Sequence, residues 1–431
     1  MKKYNFFILP VFCLFYFLTF IVPVHSQTAR DEIALNRFLS AANFYAYPVP
    51  TVKQTPPPAG YKPFYISAYA RHGSRYLVNA DEYNKPFDIL KEADKNGVLT
   101  EKGKQTLQVL DSLVRMASGR YGELTPLGAR QHEGIAKRMF TNFPDVFKGP
   151  AEIDARSTIV IRCILSMMAE CKQLLSMNPS LRIKNDASYH DMYYMNYEDS
   201  YFDSLRNNPI VQSKILEFER ANTHPERLMK SLFNDEDYVK WKIDSFELMH
   251  SLFLLACNMQ SLDTNLDLYS LFTDEECYDL WKAINFRWYT LYAASPITKG
   301  QVPFVESNLL KNILDTAESS IAKENNSATL RFGHEVCVLP LACLLEIDNC
   351  GLESYESEYL DKYWRNYNIF PMACNIQFVF FRKKASDEVL VKILLNEKEA
   401  KLPIKSSLAP YYKWTDIKTY YNKKLSSFRP K

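Results

Sequence analysis

FYISAYARHGSRYL, residues Phe64–Leu77, is an aromatic and β-branched run that stops abruptly at Arg71-His72-Gly73-Ser74-Arg75. The run is short and is entered through Pro63, which reads as a buried β-strand. The residues at its end carry chemistry. Guanidinium groups match phosphate oxygens with a planar fork of donors and stay charged at any relevant pH. Gly73 allows a tight turn or a close approach of backbone to a ligand. A histidine among arginines has its imidazolium form disfavoured by like charge, and a neutral imidazole is a competent nucleophile. The stretch therefore reads as a phosphate cradle with a nucleophile in it. Taken alone, it reads equally as a loop histidine between arginines that pair with carboxylates elsewhere.

Two further strands end in comparable residues. AEIDARS (Ala151–Ser157) reads as a second buried strand, with a helix from Thr158 to Leu175 leaving its end and Arg162 on the first turns. ATLRFG (Ala328–Gly333) is a third, followed by His334, Glu335 and an apolar helix through Leu345. In open α/β sheets the site lies outside the carboxyl ends of strands, and one sheet can gather these three ends. There His334 can donate to a phosphoryl oxygen, and Glu335, if protonated, can donate to a leaving oxygen. The helix start after His334 offers free N–H groups to an anion. Individually, Arg162 reads as well as a solvated helix arginine, and Glu335 as a first-turn acid favoured by the helix dipole.

Outward from these strands, YPVPTVKQTPPPAGYKP (Tyr47–Pro63) is a stiff connector from a short helix at about Arg30–Ala42. Helical patterns cover Asn84–Asn96, Glu101–Ala117 and Leu127–Phe140, the last opened by Thr125 as N-cap and Pro126 at the first helical position. From Lys184 to Glu324 strand signals fade and helical patterns dominate, at Pro209–Arg220, Asp235–Asn258, Asp274–Ala293 and Asn308–Lys323. NIQFVFFR (Asn375–Arg382) and EVLVKILL (Glu388–Leu395) read as a strand pair joined by a turn in KKASD. The expected fold class is α/β: a central, mainly parallel sheet flanked by helices, with an inserted, mostly α-helical domain. The expected boundaries are 1–26 for a leader, 27–183 and 325–431 for the two parts of the α/β domain, and 184–324 for the insert.

The leader has Lys2 and Lys3, an apolar run from Phe6 to Val24, and Val24-His25-Ser26 as a small-x-small cleavage site. An uncleaved anchor is the competing reading of that run. The chain has 52 basic and 50 acidic side chains; removing 1–26 takes away two lysines and no acid, leaving 50 of each. This argues against a broad basic surface for nucleic acid, and attraction for an anion must come from a local cluster. Of nine cysteines, eight remain without Cys13, with no CxxC and no Cys/His spacing typical of zinc. Export tolerates disulfides, but buried free thiols account equally well for these cysteines.

Four ordered passages together resemble the histidine acid phosphatase family, the large-domain branch of the histidine phosphatases, which includes phytases and multiple inositol polyphosphate phosphatases. YARHGSR matches the RHGxR signature. GELTPLGARQH (Gly122–His132) matches the GxLTxxGxxQ segment, RSTIVIRCILS (Arg156–Ser166) the passage with a further active-site arginine, and RFGHE (Arg331–Glu335) the place of the GHD or HAE motif. The resemblance implies a phosphoglycerate-mutase-like sheet with an α domain inserted. It implies that His72 attacks phosphorus to form a phosphohistidine. Arg71, Arg75, Arg162 and His334 would hold the phosphoryl oxygens, and Glu335 would protonate the leaving alkoxide and then assist water. It implies a small-molecule phosphate ester as partner and no metal or organic cofactor. GELTPLGARQH reads as architectural, with His132 near the site but not catalytic.

Two departures stand out. Glu335 directly follows His334, combining the acid of the HAE version with the spacing of the GHD version. Residue 336 is Val where a small hydroxyl residue is common. The expected activity is exported, periplasmic or secreted phosphomonoester hydrolysis, with inositol polyphosphates such as phytate as substrate. Alternatives are a sugar-phosphate or broad-specificity acid phosphatase, and a catalytically weak phosphate-ester-binding protein. Lys62 and Arg331 are candidate extra contacts for a polyphosphorylated ring. ASYHDMYYMNYED (Ala187–Asp199), with His190 and Asp191, lines the cleft or packs between domains.

Overall fold

The computed structural model describes residues 27–196, 199–323, 325–384 and 386–429, and FYISAYAR forms the central strand of its sheet. That strand, β1 (Lys62–Arg71), is joined by β2 (Glu152–Ser157), β3 (Arg182–Ala187), β4 (Ser327–Gly333), β5 (Asn375–Lys383), β6 (Ser386–Leu395), β7 (Lys398–Glu399) and β8 (Tyr411–Lys413). The order is β3-β2-β4-β1-β5-β6-β7, with β8 on β6. β1 to β4 pair in parallel, whereas β5 runs antiparallel to β1 and β6 to β5. The sheet is thus parallel on one side and a meander on the other, and β2, β4 and β1 are neighbours, so their carboxyl ends lie side by side.

β1 is buried on both faces, which is why it reads as a nearly continuous apolar run. Tyr65 and Tyr69 join one hydrophobic cluster, with Phe378, Phe380 and the helix Glu335–Leu344. Ile66, Ala68 and Ala70 join another on the opposite face. There they meet α4 (Pro126–Asn142) and α5 (Ile161–Met177) through Ile135, Met139, Met167 and Leu174. α4 begins as expected: Thr125 Oγ1 accepts from the Gly128 N–H and Pro126 occupies the first helical position.

A third cluster is mostly helical, and it does not follow the expected boundaries. α2 (Asp81–Lys95) and α3 (Glu101–Ala117), assigned by the sequence reading to the first α/β part, bury Leu90, Leu110 and Leu113 with Leu248, Leu252 and Leu280. The N-terminal α1 (Ala29–Leu35) adds Ile33. The helical layer is therefore built from separate stretches, because an amphipathic face needs a partner and sequence order does not say which. β3 also carries the sheet past residue 183, to Ala187. Two expected helices differ. Asp235–Asn258 is two helices, Glu236–Lys242 and Ser245–Asn258, because Asp244 caps the second by accepting from the Glu247 N–H. The segment expected as helix to Ala42 ends as α-helix at Leu35 and continues as a 3₁₀ turn, Arg37–Phe44. The leader, Cys13 and Ala385 of the β5–β6 turn lie outside the described residues. Among those described, eight cysteines are free and buried, and no helix is long and apolar enough to cross a membrane.

Candidate active site

The loop after β1 is held by its own backbone and by α4. The Arg71 N–H donates to the Cys374 carbonyl, and the His72 N–H to that of Gly333 at the end of β4. Gln131 accepts from the Ser74 N–H at 2.8 Å and donates to its hydroxyl at 3.0 Å. His132, fully buried, bonds the Arg71 carbonyl at 3.0 Å through Nε2 and Glu170 at 2.9 Å through Nδ1. GELTPLGARQH is thus a clamp on the loop, and His132 stands behind it rather than in the cleft. Gly73 lies so close to α4 that a Cβ there would fall 2.3 Å from the Gly128 carbonyl oxygen.

His72 is 1% exposed. Its Nδ1 lies 2.8 Å from the Gly73 carbonyl oxygen, which can only accept, so Nδ1 carries the hydrogen and Nε2 presents its lone pair. Burial, then the charges of Arg71, Arg162 and Arg75, hold the imidazole well below its ordinary range, so it is neutral. The three guanidiniums surround it. Arg71 binds Glu335 Oε1 at 2.9 Å, yet its Nε, and the Nε of Arg75 and of Arg162, are buried without a partner. Buried donors without an acceptor are rare, and three around one imidazole make a cradle for an oxyanion. Burial brings Arg75 down to about 10, which leaves it charged at neutral pH. Arg162 is set in place through Ser166, whose hydroxyl donates to the Arg162 carbonyl and accepts from the Gly73 N–H.

His334 and Glu335 arrive from β4. The His72 and His334 rings meet edge to face, 5.7 Å between centroids. Burial and the arginines pull His334 down to about 4, against the opposing charge of Glu335, so it too is neutral. Thr158, at the end of β2, lies 3.4 Å from its Nε2. Glu335 opens a helix whose cap residue, His334, gives it no side-chain hydrogen bond. Its Oε2 stands 3.8 Å from His72 Nε2, so the glutamate directly after His334 does reach the His72 imidazole. Burial pushes its carboxyl up, but Arg71 and Arg75 outweigh burial and hold it at about 2. Ligand atoms of His72, His334 and Glu335 lie within 4.8 Å of one another. The surrounding guanidiniums make this a place for an anion rather than a cation.

All six residues expected at the site therefore converge. Other candidates do not. Arg331 is 1% exposed and spends its donors on Asn312, Ser67 and Thr316, so it braces the sheet. Lys62 is at the far end of β1, roughly 30 Å along the strand from Arg71. Arg156 is tied to Asp154, Asp186 and Asp191. In Ala187–Asp199, Asp191, Tyr194 and Met195 are buried packing, while His190 and Tyr193 are exposed. The sequence reading noted Thr158 only as a polar residue at a strand end and missed Ser166 and Asn43. Ser166 is one helical turn from Arg162, a spacing that hints at its role; Asn43 belongs to no motif.

The model of the histidine phosphatase superfamily (branch 2) matches residues 67–396. No curated protein matches the chain. Among solved structures, the Bifidobacterium longum multiple inositol polyphosphate phosphatase in complex with inositol hexasulfate is similar at TM-score 0.74 and 18% identity, over 89% of this chain and 97% of that one. A phytase from D. castellii gives 0.68 and 14%, over 96% and 90%. Hafnia alvei phytase gives 0.52 and 11%, over 86% and 98%.

Proposed function

The chain belongs to the histidine phosphatase superfamily, branch 2, and is a phosphomonoester hydrolase; from this premise we propose that it works through a phosphohistidine on inositol polyphosphates. His72 Nε2 attacks phosphorus while the bond to the leaving oxygen breaks, and Glu335 delivers a proton to that oxygen. Arg71, Arg75, Arg162 and His334 hold the equatorial oxygens, where charge builds in flight. Water, activated by Glu335, then cleaves the N–P bond. The observation that carries this reading is a neutral imidazole whose Nε2 has no hydrogen bond, under the charges of three arginines whose buried Nε atoms lack a partner.

The carboxyl at about 2 is an anion before substrate arrives. A phosphate between it and the arginines offsets their charge, raises the carboxyl's proton affinity and readies it as an acid. Inositol polyphosphate as substrate is favoured by the likeness to a protein crystallised with inositol hexasulfate. Export is favoured by Lys2, Lys3 and the apolar run to Val24. The test is His72→Ala, assayed on phytate and an aryl phosphate, with acid-quenched wild-type enzyme probed for a phosphoryl group on His72. Turnover surviving in the variant removes the nucleophile. Hydrolysis of the aryl ester but not of phytate redirects the substrate assignment to smaller esters. A mature N-terminus at residue 1 refutes leader cleavage.

A further inference from the structure

Asn43 is 8% exposed and lies in the 3₁₀ turn Arg37–Phe44, far from the motif residues in sequence. Both of its ends reach the site. Its main-chain carbonyl accepts from Arg71 Nη1, and its side-chain Nδ2 donates to Glu335 Oε1 at 3.3 Å. Phe44, the next residue, lies under the Arg75 guanidinium, 5.3 Å from ring centroid to carbon. The backbone that sets this up is strained: Ala42 is held at φ 53°, ψ −117°. A non-glycine residue there is disfavoured and persists only where packing over-determines it. Ala41 and Ala42 are buried in the helical cluster, which supplies that packing.

The two oxygens of Glu335 are therefore unequal. Oε1 accepts from Arg71 Nη2 at 2.9 Å and from Asn43 Nδ2, while Oε2 faces His72 Nε2. An oxygen that accepts two N–H donors is the poorer place for a proton. We propose that Asn43 is a positioning residue for the acid step: together with Arg71 it occupies Oε1, so that the proton rides on Oε2, the oxygen on the nucleophile's side. This rests on the phosphohistidine reading above. In that step the Nε2–P bond forms and the P–O bond breaks. Its electron pair stays on the leaving oxygen, and that oxygen takes the proton from Oε2. Glu335 stands at the helix start that follows β4 and Asn43 in the helical layer, so the aim of the acid depends on how the two pack.

The groups facing Glu335 are Arg71, His72 and Arg75 from the β1 loop, Cys163 from α5, Cys374 before β5, and His334, itself beside Arg162. Asn43 adds an uncharged amide donor to Oε1. The experiment measures kcat and KM against pH for Asn43→Ala and Asn43→Asp, on an alkyl phosphate (glycerol phosphate) and on p-nitrophenyl phosphate, whose leaving group needs little protonation. Asn43→Ala is expected to lower kcat on the alkyl ester by about tenfold or more, with the aryl ester within about threefold and KM little changed. The near-isosteric Asn43→Asp puts a second carboxyl beside Oε1 and is expected to move the basic limb of the alkyl-ester profile up by about one pH unit. Equal losses on both esters, or no loss on either, overturn the proposal, as does an unmoved basic limb in Asn43→Asp. If Asn43→Ala does not fold, Asn43→Asp decides alone. His72→Ala serves as the control: activity there refutes the parent reading, whereas an inactive control beside unchanged Asn43 variants refutes this inference only.

Discussion

Gly73 and Gly128 face each other with no room for a side chain. A Cβ on Gly73 would lie 2.3 Å from the Gly128 carbonyl oxygen, and one on Gly128 would lie 2.3 Å from that of Ser74. Two segments more than fifty residues apart are thus pressed together backbone to backbone, and the loop that carries His72 takes its position from that contact. Gly73→Ala or Gly128→Ala must displace main chain. Each is expected to cost about 1–3 kcal/mol of stability. Each should also lower kcat by roughly a hundredfold, because a ~1 Å shift of His72 is enough for that. Denaturant titration and steady-state kinetics check both; a fully active Gly73→Ala would mean that the loop is placed by something else.

Arg162 holds no acceptor on its buried Nε, and its charge bears on both His72 and His334. Arg162→Ala is expected to weaken inhibition by inorganic phosphate by roughly ten- to a hundredfold, the equivalent of about 1.5–3 kcal/mol for hydrogen bonds to a charged group. Arg162→Lys keeps the charge but loses the fork, and recovers only part of this. Inhibition constants near pH 5 measure it.

Glu335→Gln keeps the shape and removes the transferable proton. Turnover of an alkyl phosphate is expected to fall by about a hundredfold or more, while p-nitrophenyl phosphate loses no more than about tenfold. Equal losses on the two esters would take the acid role away from Glu335.

Anion binding and proton binding are linked at this site. Without ligand, Glu335 sits at about 2, His334 at about 4, and His72 well below its ordinary range. A bound anion offsets the guanidiniums, so each of these values rises and protons are taken up. Sulfate, fully ionised near pH 5, isolates the effect. Calorimetry at that pH in buffers of different ionisation enthalpy should show net proton uptake, and release would contradict the electrostatics described here.

Much of this molecule was legible along the chain. α3 spans Glu101–Ala117, as its pattern predicts, and Thr125 and Pro126 open α4. β1, β4 and the β5–β6 pair fall within a residue or two of the expected runs, and the RHG loop follows β1 directly. These features rest on caps, short continuous apolar runs and glycine or proline geometry, which act over a few residues and leave their mark locally. The convergence of the six candidate residues was legible as well, because their motifs are short and stand at strand ends that the sheet makes neighbours.

Folding alone decided the rest. Arg331 looked as available as Arg162, yet one is buried in a structural network and the other completes the cradle. α2 and α3 left the sheet's neighbourhood for helices more than a hundred residues away. Asn43, with no motif around it, came to rest on the proposed acid. A local signal can say what a segment becomes. Which segments touch depends on burial and close approach between stretches remote in sequence, and those are properties of the whole packed chain.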